Sequence, residues 1–357
     1  MRRWAAGLWH VRYAPPVATR GVALLLFVLA GCGHGNSVAP APPPLDSNPP
    51  TVGAVTTAVP AACPSGAAAG ATCTDLLVTC PGLDDLHVVV AASEPSTGPA
   101  NATVLLHDNV GGTQFFDYGF VAAYHGSGFR VVQAEWQSDW EQGSVGLKHA
   151  ACRYATMLSW VYANVHHTDR TRGFCAQSWG GGSGGLFFSL SAYGAGEMLD
   201  AVTVSAGPPF ARVDLGCNPA SPPRAACPEL PQVPVAYSGS VLTTIAGWEE
   251  APSCGESGAS STEVTRWAAD SILSSGAVLD FPSTSLAAWY CTNGFDATVG
   301  QGSMLFDQVT ADETVHCVSS GLGGGQCDGQ TPWPSALPDM VQDMETRCLP
   351  RHTAPGP

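Results

Sequence analysis

Twelve residues at positions 174–185, FCAQSWGGGSGG, constrain this 357-residue chain more than any other stretch. A short strand-like run, GFCA at 173–176, is followed within nine positions by five glycines and two serines, and helical spacing resumes at 186–193 (LFFSLSAY). So many residues without a Cβ suit a strand that folds back sharply into a helix. A phosphate-binding P-loop is excluded, because it must end in Gly-Lys-Ser/Thr and Lys148 is the chain's one lysine. A Gly/Ser linker is the bland alternative.

The flanking segments alternate in type. Strand-like runs lie at 76–80, 86–92, 102–106, 129–134 and 201–205, the run ATVLL at 102–106 being apolar throughout, as a strand covered on both faces must be. Helical spacing marks 120–124 and 147–165, where Leu147, Ala151, Tyr154, Leu158, Val161 and Val165 form one stripe. This alternation predicts crossover connections and a mostly parallel sheet with helices on both faces. Residues 207–282 break the rhythm with Pro-rich pieces and a helix at 261–273, capped by Ser261 or Thr262, and read as a cap-like insertion that covers a site or wraps an edge. Strand character returns at 285–291 and 314–319, and 338–349 reads as a closing helix. There is no internal repeat.

The amino-terminal end reads as an export signal. Arg2, Arg3, Arg12 and Arg20 precede the apolar run 21–30, which is too short to span a bilayer, and LAGC at 29–32 resembles the lipobox of bacterial lipoproteins. That resemblance implies cleavage after residue 31, lipidation of Cys32 and anchoring in the bacterial cell envelope, at the outer membrane or cell surface. Residues 32–60, rich in Pro and Ala, read as a tether, 61–350 as one folded domain and 351–357 as a tail. Loss of residues 1–31 removes four arginines and no acid, so the net charge moves from −15 to −19. Such a surface repels phosphate backbones and excludes nucleic acid as a partner, leaving membrane attachment to the lipid. The twelve other cysteines form an even set without a CxxC pair, which favours disulfides over thiolate metal sites.

The frame Ala176-Gln177-Ser178-Trp179-Gly180, after the strand GFCA and before a helix, resembles the nucleophile elbow of the α/β-hydrolases. TVLLHDNVGG at 103–112 is similar to that superfamily's third strand and oxyanion loop, GFRVVQAEW at 128–136 to its fourth strand, and together the likeness covers 73–205. The resemblance implies the α/β-hydrolase fold, with Ser178 attacking an acyl carbonyl of a small-molecule or polymer ester to give an acyl-enzyme, and no cofactor. Backbone N–H groups of Trp179 and Asn109 would hold the oxyanion. Ser183, in the second frame GGSGG, satisfies the pattern as a string but sits inside the following helix.

In that superfamily the acid and then the base follow the nucleophile in the chain. His316 and His352 are the only later histidines; His352 lies in a Pro-flanked tail, so His316 is the expected base. Asp296, in GFDATV, resembles the acid, with Asp307 and Asp312 as alternatives. His107 reads as structural, holding its loop. His166-His167-x-Asp169 reads as a solvated turn rather than a metal site, and Trp136, Trp140, Trp248, Trp267 and Trp289 as core packing more than pocket lining. Two readings from other classes stand beside the hydrolase: a binding protein on the same fold without a working base, and a structural envelope protein, which would have no need of an elbow.

Overall fold

The computed structural model describes residues 50–108, 110–143, 145–237, 254, 259–292, 297–318 and 336–350. The expected leader, Cys32 and most of the tether, together with Asn109, Trp248 and Asp296, lie outside them. Nine strands form one sheet: β1 Ala54–Ala61, β2 Thr72–Thr79, β3 Leu86–Ser93, β4 Ala102–His107, β5 Phe129–Trp136, β6 Gly173–Trp179, β7 Ala201–Ser205, β8 Asp280–Cys291 and β9 Thr310–Val318. Their spatial order is β1-β2-β3-β5-β4-β6-β7-β8-β9. Strands β1 to β3 pair antiparallel and β3 meets β5 antiparallel, whereas β5, β4 and β6 to β9 run parallel. This mostly parallel sheet with helices on both faces is the α/β-hydrolase fold expected from the sequence.

The apolar pattern explains the layers. Strands β4 and β7 are buried at every residue, so both of their faces must be covered. On one face α2 (Leu147–Asn164) and α3 (Gly180–Tyr193) pack against Leu105, Ala176, Val202 and Ala288. On the other, α1 (Phe120–Gly126) and the last helix, Leu337–Arg347, pack against Val104, Leu106, Cys175 and Trp289. Because β4 has β5 on one side and β6 on the other, the chain leaves its carboxyl end in one direction and returns in the opposite one. Sheets of this kind bind ligands at such a switch point, in the crevice outside the carboxyl ends of the strands.

Three features differ from the sequence reading. The sheet begins at Ala54, within the segment expected as tether: β1 is an exposed edge strand whose Pro60 sits opposite Thr74, a position where an edge tolerates proline. A helix unforeseen in the sequence, Ala297–Phe306, has Gly300 against the carbonyl of Pro234 and Gly302 against that of Gly207. Strand β6 runs to Trp179, three residues past its expected end at 176.

Disulfides join Cys63–Cys73, Cys80–Cys152, Cys175–Cys348, Cys217–Cys254 and Cys227–Cys317, and Cys291 is also disulfide-bonded.

The described part of the 207–282 insertion packs along the α2/α3 face. It contains a helical turn, α4 (Val213–Gly216), and α5 (Ser261–Ala269), making Ala297–Phe306 and Leu337–Arg347 α6 and α7. Helix α5 starts with a capping box between Ser260 and Glu263, one residue before the expected cap. Just beyond it, buried Asp270 accepts the N–H groups of Leu147 and Lys148 at 2.7 Å each, closing the open end of α2 from a segment more than a hundred residues away. Gly146 lets it approach, since a Cβ there would lie 2.8 Å from either carboxylate oxygen. Replacing Asp270 by Ala removes the side-chain cap that the described residues give the start of α2, since Gly146 offers no side chain. We expect Asp270→Ala to cost about 1–3 kcal/mol in a denaturant titration of the oxidised protein, against less than about 0.5 kcal/mol for an exposed control such as Glu229→Ala.

Candidate functional site

The switch point is formed by the carboxyl ends of β4 and β6, where His107 lies opposite Ser178. Ser178 is not at the turn. It is still in the ladder, opposite Val204 of β7, and Trp179 after it remains extended with φ −130° and ψ 145°. The residue that takes positive φ at the junction is Gly180, at φ 50°, which opens α3. The turn therefore falls two residues later than expected. Its physical cause is the run of three glycines, since a left-handed backbone costs an L-residue about 1–2 kcal/mol and costs glycine almost nothing.

In the pattern small-x-turn-x-small, the places are thus held by Ser178, Gly180 and Gly182. Gly182 meets the demand for smallness directly. A Cβ on it would lie 2.7 Å from Ser178 Oγ and 2.6 Å from His107 Nδ1, and would overlap the carbonyl oxygen of Asp108.

Ser178 is fully buried and its hydroxyl donates to the backbone carbonyl of His107 at 3.0 Å. His107 is also fully buried, edge-on to Tyr154 with ring centroids 4.7 Å apart, and its Nε2 accepts the indole N–H of Trp136 at 3.0 Å. Burial pushes its pKa down to about 3, so the ring is neutral. With Nε2 accepting, the proton sits on Nδ1, the nitrogen that faces Gly182. An N–H in that position cannot take a proton from Ser178. His107 is a structural residue, as expected.

His316 is on the wrong face of the sheet for the role of base. Side chains alternate along β9, and His316 stacks on Trp289 on the α1/α7 side, with centroids 4.0 Å apart and planes 16° apart. Ser178 follows Ala176 onto the α2/α3 side. Three strand spacings separate β6 from β9, about 14 Å at roughly 4.8 Å each. The imidazole is engaged with α7, Nε2 lying 3.6 Å from Asp343 Oδ2, while Asp343 Oδ1 accepts from Arg347 Nε at 2.8 Å. Burial acts to raise the Asp343 pKa, but His316 and Arg347 outweigh it and hold it below the usual carboxylate value. The structure therefore does not bring Ser178 and His316 together, because the sheet stands between them.

Trp179, the expected oxyanion donor, is the last residue of β6, opposite Ser205, with its ring edge-on to Tyr118. Asn109 and Asp296 fall outside the described residues. Of the alternatives, Asp307 pairs with Arg224 on the surface, and Asp312 accepts from Ser285 Oγ at 3.0 Å. Ser183 is buried in the first turn of α3 and donates to the Gly180 carbonyl. His166 is buried against Phe174 and shares a 3.1 Å hydrogen bond with Thr103 Oγ1, while His167 and Thr168 form a left-handed turn, so this segment is structural. Among the described residues the one cluster of potential metal ligands is Cys227, Glu229 and Cys317, and its cysteines form a disulfide. Trp136, Trp140, Trp267 and Trp289 are buried in the core.

No family model matches the chain, and neither does any curated protein. Among solved structures it is similar to a bacterial heroin esterase, at 14% identity and TM-score 0.45, over 80% of this chain and 86% of that one. It is also similar to acetyl xylan esterase 1 from Thermoanaerobacterium sp. JW/SL YS485, at 10% identity and TM-score 0.42, over 80% and 87%. A dienelactone hydrolase from Anabaena variabilis ATCC 29413 aligns at 11% identity and TM-score 0.39, over 74% and 92%. At such values the likeness concerns the course of the chain alone.

Proposed function

We propose that this chain is a ligand-binding protein on the α/β-hydrolase fold, with its site in the crevice at the carboxyl ends of β4 and β6 and no serine nucleophile in it. One observation supports this most strongly: the turn between β6 and α3 is made by Gly180, so the position that would present a nucleophile has no side chain. Ser178, two residues before it, donates its hydroxyl inward to a carbonyl, and among the described residues no imidazole is placed to take its proton.

A second reading keeps the serine hydrolase, cleaving small-molecule or polymer esters through an acyl-enzyme at Ser178. The frame Ala176-Gln177-Ser178-Trp179-Gly180 favours it. In that reading Asp296, Asn109 and the N–H of Trp179 keep their expected roles, and His316 could serve as the base only if β9 carried it to the α2/α3 face of the sheet.

A fluorophosphonate probe separates the two. We expect the folded, oxidised protein to remain unlabelled at concentrations that saturate a serine esterase, and to turn over p-nitrophenyl acetate no faster than Ser178→Ala does. Labelling mapped by mass spectrometry to Ser178 and lost in Ser178→Ala would reverse the order of the readings. Ser178→Ala should itself cost about 1 kcal/mol of stability, through the lost bond to His107.

We also propose that the protein is held in the bacterial cell envelope by a lipid on Cys32, a reading supported by LAGC and by a disulfide set suited to an oxidising compartment. No helix among the described residues is long and apolar enough to cross a membrane. Expressed in a bacterium fed an alkyne fatty acid, the wild type should incorporate the label into the membrane fraction, and Cys32→Ala should not. Equal labelling of both would rule the anchor out.

A further inference from the structure

The turn that follows β4, Val110–Gly112, is clasped by the segment after β5. Gly111 sits at φ 76° with both backbone polar groups engaged: its N–H donates to Glu141 Oε1 at 3.2 Å, and its carbonyl accepts from the N–H of Trp140 at 3.2 Å. The carboxylate of Asp139 lies against the same glycine, where a Cβ would collide with it. Gly112, next in the turn, abuts the ring of His107, whose Nδ1 packs against Gly182 so closely that a Cβ there would lie 2.6 Å from it. The turn thus lies between Glu141 and the crevice.

Glu141 is fully buried, and its Oε2 has no hydrogen-bond partner. A carboxylate in that state is expensive, whereas the neutral acid carries no net charge to desolvate. Of the charged groups near it, Asp139 lies on its own segment and Arg153 comes from α2. Arg153 Nη1 spends its hydrogen bonds on the carbonyls of Trp140 and Gln142 instead.

We propose that Glu141 is a proton-operated latch on the turn after β4: as the neutral acid it stays buried against Val110–Gly112, and as an anion beside Asp139, with one oxygen unpartnered, it opens that turn to reach water. Burial is the larger cause of its raised pKa, the hydrogen bonds from the backbone of Gly111 and of Glu141 itself act against it, and the charge of Asp139 adds to it, leaving Glu141 pushed up to about 8. The sign follows. The folded chain keeps this proton where the unfolded chain has lost it, so the stabilisation falls as pH rises from the ordinary glutamate value of 4.5 through about 8. The latch does not depend on whether the crevice binds a ligand or hydrolyses one.

Amide hydrogen exchange read by mass spectrometry tests this on the oxidised full-length protein, in peptides covering 108–116, from about pH 6 to about pH 9.5 and corrected for intrinsic rates. We expect protection in the wild type to fall at least about tenfold with a midpoint near the Glu141 transition. Glu141→Gln, which cannot ionise, should give a flat profile, and Asp139→Asn, which removes the like charge, should move the midpoint to lower pH. A flat wild-type profile overturns the latch, as does a Glu141→Gln profile that keeps the wild-type midpoint. Should Glu141→Gln fail to fold, an Asp139→Asn midpoint identical to wild type overturns it equally.

Discussion

The backbone of α3 reaches the end of β4 because Gly182 has no Cβ, and most of the crevice follows from that approach. It sets the carbonyl of Asp108, Nδ1 of His107 and Oγ of Ser178 around one small space. It also decides where the strand can stop. For α3 to start close enough to β4, β6 must end one residue before Gly180, and the chain turns at the first position where a left-handed backbone is cheap. Ser178 is then left inside the ladder with its hydroxyl turned toward a carbonyl. A larger residue at 182 would push α3 outward and release all three groups at once.

The sheet itself divides the chemistry. Its α2/α3 face carries Ser178 and Gly182, and its α1/α7 face carries Trp289, His316 and Asp343. Because side chains alternate strictly along a strand, no rotamer carries the imidazole of His316 to the other face of the sheet. His316 has a complete local explanation without catalysis: it covers Trp289 and ties α7 to the sheet next to Asp343.

The frame was legible where burial alone determines conformation. The uninterrupted runs of β4 and β7, the stripe of α2 and the closing helix α7 all have their signals in residues that must be covered, and the order of elements implied the parallel sheet. Elements fixed by something else were not legible. Strand β1 is an exposed edge of Ala, Thr, Val and Pro, with no apolar alternation to mark it. Helix α6 contains glycines chosen for close backbone contact, which lower its helical signal. The end of β6 was ambiguous for the same reason, since three successive glycines make several turning points almost equal in cost, and contact with β4 selects among them. Strand composition at 314–319 did point to His316 lying within a strand, and chain order alone made it the base.

The disulfides bear on whether the turn could move back to Ser178. Cys175 is three residues before Ser178 and is bonded to Cys348, just past α7, while Gln177 accepts the hydroxyl of Tyr124 on the same face. Sliding β6 by two residues would carry Cys175 about 6.6 Å along the sheet and is incompatible with that bond. The turn can reach Ser178 only by peeling, with Ser178 and Trp179 leaving their places opposite Val204 and Ser205 while the rest of β6 stays fixed. Peeling would place Ser178 in the left-handed region at a cost of about 1–2 kcal/mol and give up its bond to His107. Gly182 would also lose its reason to be glycine. The crosslinked strand thus favours the turn at Gly180, and an attacking serine at 178 would need a ligand whose binding offsets each of those losses.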